Sequence, residues 1–258
     1  MAAAVPEGDK GAAGGALLAP RRCGSRWQDD RMDATTDEKA RFEAVGEHYD
    51  LQMMLTARQK TLQVMRDVAT AIRPGIREEE AMELLKGTLK DAGLLRGWHA
   101  PYLRFGPNTL KNYGEPSAPN VTLRANDIFF VDIGPVWQKW EGDAGNTFVV
   151  GNDPQMHKAA RDVRQVFDDV AALWRAQGTS GIELYDYAAT RARELGWELN
   201  LAMSGHRLSD FPHKALHKGG LSEAPFAPTA NLWVLEIQIR HPDRPFSAFY
   251  EDLLLDQN

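Results

Sequence analysis

The stretch Ile128–Val150, IFFVDIGPVWQKWEGDAGNTFVV, decides the fold. Two runs of β-branched and aromatic residues flank a polar, glycine-containing turn, which reads as a hairpin. Each run carries one aspartate, Asp132 and Asp143, where a buried strand would take an apolar residue. A strand covered on both faces reads as a near-continuous apolar run. A carboxylate inside one is costly unless it is paired, protonated or bound to a cation. Two such carboxylates on adjacent strands also repel each other, so a metal site is a natural account of the pair.

Outward from the hairpin, the pattern alternates helices with strands. Leu51, Met54, Leu55, Leu62, Met65, Val68 and Ile72 recur on one helical face, and Pro74-Gly75 ends that helix. A second helix is expected over 78–92; its acidic start, Glu78-Glu79-Glu80, suits the positive end of the helix dipole. Short strands are expected around Trp98–Phe105, followed by a polar loop over 106–120. After Gly151 the plan repeats. Asp153 caps and Pro154 starts a helix that stops near Gly178. Ser180 and Glu183 form a capping box for a helix through Leu195. Strands are expected at Trp197–Met203, Leu232–Ile239 and Phe249–Leu255. Two helices followed by strands thus occur twice, at 37–150 and 152–258, and two such halves meeting face to face would place a site between their sheets.

Composition bounds the function. The 258 residues are 43% hydrophobic and carry a net charge of −6, so bulk charge predicts neither nucleic-acid nor membrane-surface binding. A single cysteine, Cys23, excludes an intramolecular disulfide framework and a multi-cysteine metal site, and fits a reducing, cytoplasmic setting. No apolar run approaches the roughly 18 residues of a membrane span. Residues 1–36, rich in Ala and Gly and without periodicity, read as a disordered tail, or as a mis-assigned start with Met32 as initiator.

The second half repeats the anomaly of the hairpin. Glu236 lies in LWVLEIQI, Glu251 in AFYEDLLL, and His206 follows Ser204-Gly205 at a strand end. Asp132, Asp143, His206, Glu236 and Glu251 therefore make four carboxylates and one imidazole in apolar strand context. Two neighbouring divalent cations need bridging carboxylates to offset their repulsion. Oxygen-rich ligation with one imidazole and no thiolate favours Mn, Co, Fe or Zn over Cu.

In this order the residues resemble the M24 metallopeptidase family, which includes methionine aminopeptidase, aminopeptidase P, prolidase and the non-peptidase creatinase. Asp132, ten residues, Asp143, then Gly205-His206, Glu236 and Glu251-Asp252 carry the resemblance, with Ile72-Arg73-Pro74-Gly75 as a weaker match. It spans about residues 37–258, in a layout nearer to methionine aminopeptidase than to members with a separate N-terminal domain. The implied fold is α+β, the duplicated pita-bread arrangement of two helix-helix-strand halves around a curved sheet. By resemblance, Asp132 would chelate one cation, Asp143 and Glu251 would bridge two, and His206 and Glu236 would complete the second. Glu236 would also shuttle a proton, and His213 would contact the substrate. A homodimer is implied by resemblance alone.

Three departures bear on the substrate. Arg207 follows the metal histidine where the family has glycine, so a bulky cation is expected beside the site. Asn112, before Tyr113, stands where the family has a second catalytic histidine. Gln238 shares a strand face with Glu236 and is expected to point its amide at the metals. Arg207 and Arg240 are candidates for binding a substrate carboxylate, with surface ion pairing the plainer reading. His99 and His241 read as loop residues, and His217 as no ligand. The expected activity is that of a dinuclear metal-dependent aminopeptidase, of Xaa-Pro or related type, on a small peptide. The alternatives are hydrolysis of a small non-peptide amide or guanidine, as in creatinase, and a binding protein that kept the fold.

Overall fold

The computed structural model describes residues 39–94, 97, 99–208 and 219–256. The expected tail, His213 and His217 lie outside the described residues. Four helices are named here, α1 (Leu51–Ala71), α2 (Glu78–Asp91), α3 (Pro154–Gln177) and α4 (Gly181–Glu194). The strands are β1 (Tyr102–Phe105), β2 (Asp127–Ile133), β3 (Val136–Trp137), β4 (Trp140–Glu141), β5 (Ala144–Val150), β6 (Glu198–Leu199), β7 (Val234–Arg240) and β8 (Ser247–Leu253). Six of them form one antiparallel sheet in the order β1-β2-β5-β8-β7-β6, and β3 pairs with β4 as a small ribbon at the tip of the β2–β5 hairpin. Each half contributes two helices and then three strands of the main sheet, so the duplicated α+β, pita-bread architecture is present.

Strand alternation divides the sheet into two chemistries. On β2, Phe129, Val131 and Ile133 face the core built with Val64, Met65 and Val68 of α1 and Leu85 and Leu89 of α2. On β7 and β8, Leu235, Ile237, Ile239, Ala248 and Tyr250 pack against Val163, Val166, Phe167 and Val170 of α3 and Leu184 of α4. The residues between them in sequence, Asp132, Glu236 and Glu251, are thereby turned to the opposite face. The helices bury the apolar face, and the polar face is left to build a site.

Boundaries differ from expectation where polar side chains interrupt pairing. The strand expected over Trp197–Met203 is reduced to Glu198–Leu199. Asn200 donates its backbone N–H to Gln238 and accepts that of Met203, which turns the chain out of the sheet. The strand expected around Trp98–Phe105 begins at Tyr102. Arg104, buried on β1, donates to the carbonyls of Lys111, Asn112 and Glu115 and lies 4.5 Å over the Tyr102 ring. Buried Glu78 accepts from the Phe105 amide and from Asn108, whose own oxygen accepts from Ala118. The loop over 106–120 is thus fixed by charge-assisted bonds to backbone.

Both second-half caps form as expected. Ser180 and Glu183 close a capping box. Asp153 accepts the Gln155 and Met156 amides and also pairs with Arg244 through two bonds of 3.1 and 2.7 Å, which ties the start of α3 to the β7–β8 turn. Arg244 holds the Asp153 carboxyl at about 2, below its ordinary 3.8. Asp153→Ala is expected to cost about 1 kcal/mol in urea denaturation for the lost cap, while Asp153→Asn keeps most of it, because the part-exposed ion pair is screened. The charge contribution should be complete above pH about 4 and disappear as pH falls through about 2, since the folded carboxyl is the stronger acid.

Candidate metal centre

Sheet register assembles the site. Asp132 on β2 lies opposite Gly145 on β5, Gly145 opposite Glu251 on β8, and Glu251 opposite Glu236 on β7. Residues paired across antiparallel strands share a face, so three carboxylates stand in one transverse row with a gap at Gly145. The gap is required: a Cβ there would sit 2.2 Å from the Phe249 ring. Asp143, just ahead of β5, reaches the row from its end, and His206 comes from the segment before β7. Asp132, Asp143, Glu236 and Glu251 are all buried.

The expected residues therefore come together. His206 Nε2 lies 3.0 Å from Asp143 Oδ2. One donor atom each from Asp143, His206 and Glu251 lies within 4.8 Å of the others. Tyr185, buried in α4, accepts the Gly205 amide at 2.7 Å and donates to the Glu236 carbonyl at 2.8 Å, which fixes the backbone beside His206 against that of Glu236.

One imidazole escaped the sequence reading. His99, read above as a loop residue, places Nε2 at 3.2 Å from Asp143 Oδ1 and 3.8 Å from Asp132 Oδ1. His99, Asp132 and Asp143 form a second group whose donor atoms lie within 4.8 Å of one another. Glu141 was also missed; it is buried beside Asp143 and carries no periodicity signal in its short ribbon.

Electrostatics follow from this crowding. Burial pushes Asp132 up to about 6, with Asp143 adding to the rise and His99 opposing it. Burial also acts on Asp143, but the His99 charge and bonds from both imidazoles overcome it and hold Asp143 far below the carboxylate range. Burial lowers His99, and the facing Asp143 and Asp132 reverse this to about 11. Burial pushes Glu236, Glu251 and Glu141 well above their ordinary values, and neighbouring carboxylates push the same way. Buried acids that cannot all ionise together, interleaved with imidazoles, fit divalent cations, and the set contains no thiolate. Two donors bound to one ion at about 2.0–2.2 Å lie no more than about 4.4 Å apart. The separations of 3.0, 3.2 and 3.8 Å meet that limit.

The three expected substrate contacts are placed otherwise. Arg207 is 1% exposed and donates to the carbonyls of Leu232, Glu43 and Ala44. It pairs with Trp233, and alternation turns it away while His206 faces the cleft. Gln238 is fully buried, bonds Asn200, and donates to the Thr109 carbonyl at 2.8 Å. Its amide is committed to the loop rather than to the carboxylates. Asn112 Oδ1 accepts from Asn200 at 2.9 Å and Arg240 at 2.8 Å, so Arg240 also serves the fold. The cleft, about 450 Å³, is instead lined by Tyr113, Met203, Ser204 and Gly220 around His99, His206 and the carboxylates. Tyr113 is 59% exposed and packs edge-on against His99 and Tyr102.

The mixed sheet-and-helix scaffold thus carries a buried acid–imidazole cluster on one face of its main sheet. The profile of metallopeptidase family M24 matches residues 52–254, and the chain belongs to that family. Its fold is similar to the X-Pro aminopeptidase of Thermotoga maritima, with TM-score 0.67 at 16% identity over 83% of this chain and 60% of that one. The prolidase of Pyrococcus furiosus gives 0.66 at 14% identity over 90% and 70%, and the methionine aminopeptidase of Thermotoga maritima 0.64 at 17% over 83% and 96%. No curated protein sequence matches the chain. Among the described residues no helix is long and apolar enough to cross a membrane.

Tyr185→Phe should leave the buried Gly205 amide without its acceptor. The expected cost is about 1–3 kcal/mol of stability by denaturant unfolding, with weaker metal retention on dialysis because His206 loses its anchor.

Proposed function

We propose that the chain is a dinuclear metal-dependent aminopeptidase, of Xaa-Pro or related type, acting on small peptides. The observation that carries this is the row Asp132–Gly145–Glu251–Glu236, closed over by Asp143 and His206. Asp132, Asp143, His206, Glu236 and Glu251 would hold two divalent cations, drawn from Mn, Co, Fe or Zn. Bound there, the cations would supply Lewis acidity, polarising the scissile carbonyl and acidifying water.

The chain's own groups supply the rest. Glu236 is buried, and burial raises its proton affinity. Its carboxyl can take a proton from the attacking water and return it to the departing nitrogen. Tyr185 holds the Glu236 backbone in place for that transfer. Tyr113 forms an exposed aromatic wall on which the first substrate residues would lie. His213 is proposed to contact the substrate, as the family resemblance implies. The similar Thermotoga aminopeptidase is the longer chain: this one spans about 60% of its length, and the substrate assignment is a reading of the site.

A second reading, hydrolysis of a small non-peptide C–N bond, is favoured by one observation. The loop position where the family has a histidine carries Asn112, and its oxygen is already taken by Asn200 and Arg240. A panel of Xaa-Pro and Met-Xaa peptides beside small amides and guanidines separates the two.

Asp143→Ala and Glu251→Ala are each expected to abolish hydrolysis and to lower metal content, read by elemental analysis after reconstitution and desalting. Full hydrolysis by exhaustively chelated protein would overturn the metal-dependent reading.

A further inference from the structure

We infer that His99 is a metal ligand, so that each cation of the dinuclear centre takes one imidazole nitrogen. The inference rests on the metal-dependent reading above and extends it, because the five-residue set contains a single nitrogen donor, His206.

Asp143 shows the arrangement. Its Oδ1 faces His99 Nε2 at 3.2 Å and its Oδ2 faces His206 Nε2 at 3.0 Å. A carboxylate that bridges two cations presents one oxygen to each, and here each oxygen already has its own imidazole. The two rings are also oriented alike. His99 Nδ1 lies 2.8 Å from the Ala100 carbonyl, and His206 Nδ1 lies 3.3 Å from the Arg207 carbonyl. A carbonyl only accepts, so Nδ1 carries the hydrogen in both rings and Nε2 is the nitrogen aimed at the cluster. An imidazole fixed through its far N–H to a backbone carbonyl is the usual outer contact of a metal-bound histidine.

The backbone makes room for this ring. A Cβ on Gly134 would lie 2.5 Å from His99 Nε2 and 2.7 Å from its Cδ2, so the imidazole occupies the space a side chain would fill. Gly97 pairs with Pro135 and draws the His99 segment across that notch. Tyr102 stacks on the ring at 6.4 Å between centroids and 20° between planes, and Tyr113 closes its edge. The His99 side chain is left 6% exposed, little surface for contacting a substrate. A nitrogen at both positions shifts the centre away from cations that prefer all-oxygen sites, Mg and Mn, and toward Co, Fe and Zn.

The test uses the full-length protein loaded with cobalt(II). In the wild type, proton NMR in water should show two exchangeable, strongly shifted imidazole N–H signals, one from each ligating histidine. His206→Ala should leave one. His99→Ala should leave the other, alter the visible cobalt spectrum, and weaken the looser of the two sites by at least about tenfold in calorimetric titration. Gly134→Ala should reproduce the His99→Ala spectrum by displacing the ring. Circular dichroism of each variant reports folding, and the wild-type signal count needs no variant at all. A wild type that binds two cobalt ions but shows a single shifted imidazole signal would overturn the inference. So would a His99→Ala protein with unchanged spectrum and affinity, even if its hydrolysis were lost. A wild type that binds no cobalt would instead sink the metal-dependent reading itself.

Discussion

Like-charge crowding is the constraint on which the rest depends. Asp132, Glu236 and Glu251 are buried on one face of the main sheet, with buried Asp143 and Glu141 beside them. Two like charges about 4 Å apart at an effective dielectric of about 20 repel by about 4 kcal/mol, so the cluster cannot be fully ionised without positive charge among it. The apolar face of the same strands, packed on four helices, supplies the stability that keeps these acids in place. Strand alternation is what allows both: along β2, β7 and β8 one residue in two faces the helices, and Asp132, Glu236 and Glu251 stand on the alternate face.

Much of this was legible in the sequence because the acids violate the local pattern. A carboxylate in IFFVDI or LWVLEIQI is conspicuous, and its spacing to the next one carries family information. The helix caps were legible for the same reason: Asp153-Pro154 and Ser180–Glu183 are local signals satisfied by local bonds. His99 was not legible. It sits in a polar connection with no periodicity, and its importance comes from a long-range crossing: the Gly97–Pro135 bridge brings residue 99 to residue 143.

The side chains around the cluster show the opposite error. Arg207, Gln238 and Asn112 are polar, near the site in sequence, and look like substrate contacts. Each is committed elsewhere. Gln238, Asn200 and Asn112 form a connected chain of amides that ends on Arg240 and the loop over 106–115. Such networks are worth most when every member is satisfied, and these amides join the two halves of the chain rather than opening onto the cleft. A sequence identifies a polar residue but does not say whether it faces a ligand or another strand.

Arg104 gives the cleft a mechanical character. By gathering the carbonyls of Lys111, Asn112 and Glu115, it turns the segment bearing Tyr113 into a braced wall. The conformational entropy of that segment is lost when the protein folds, not when a ligand arrives. A molecule entering the cleft on this side would therefore meet a surface already in place, with little ordering of this segment left to pay on binding.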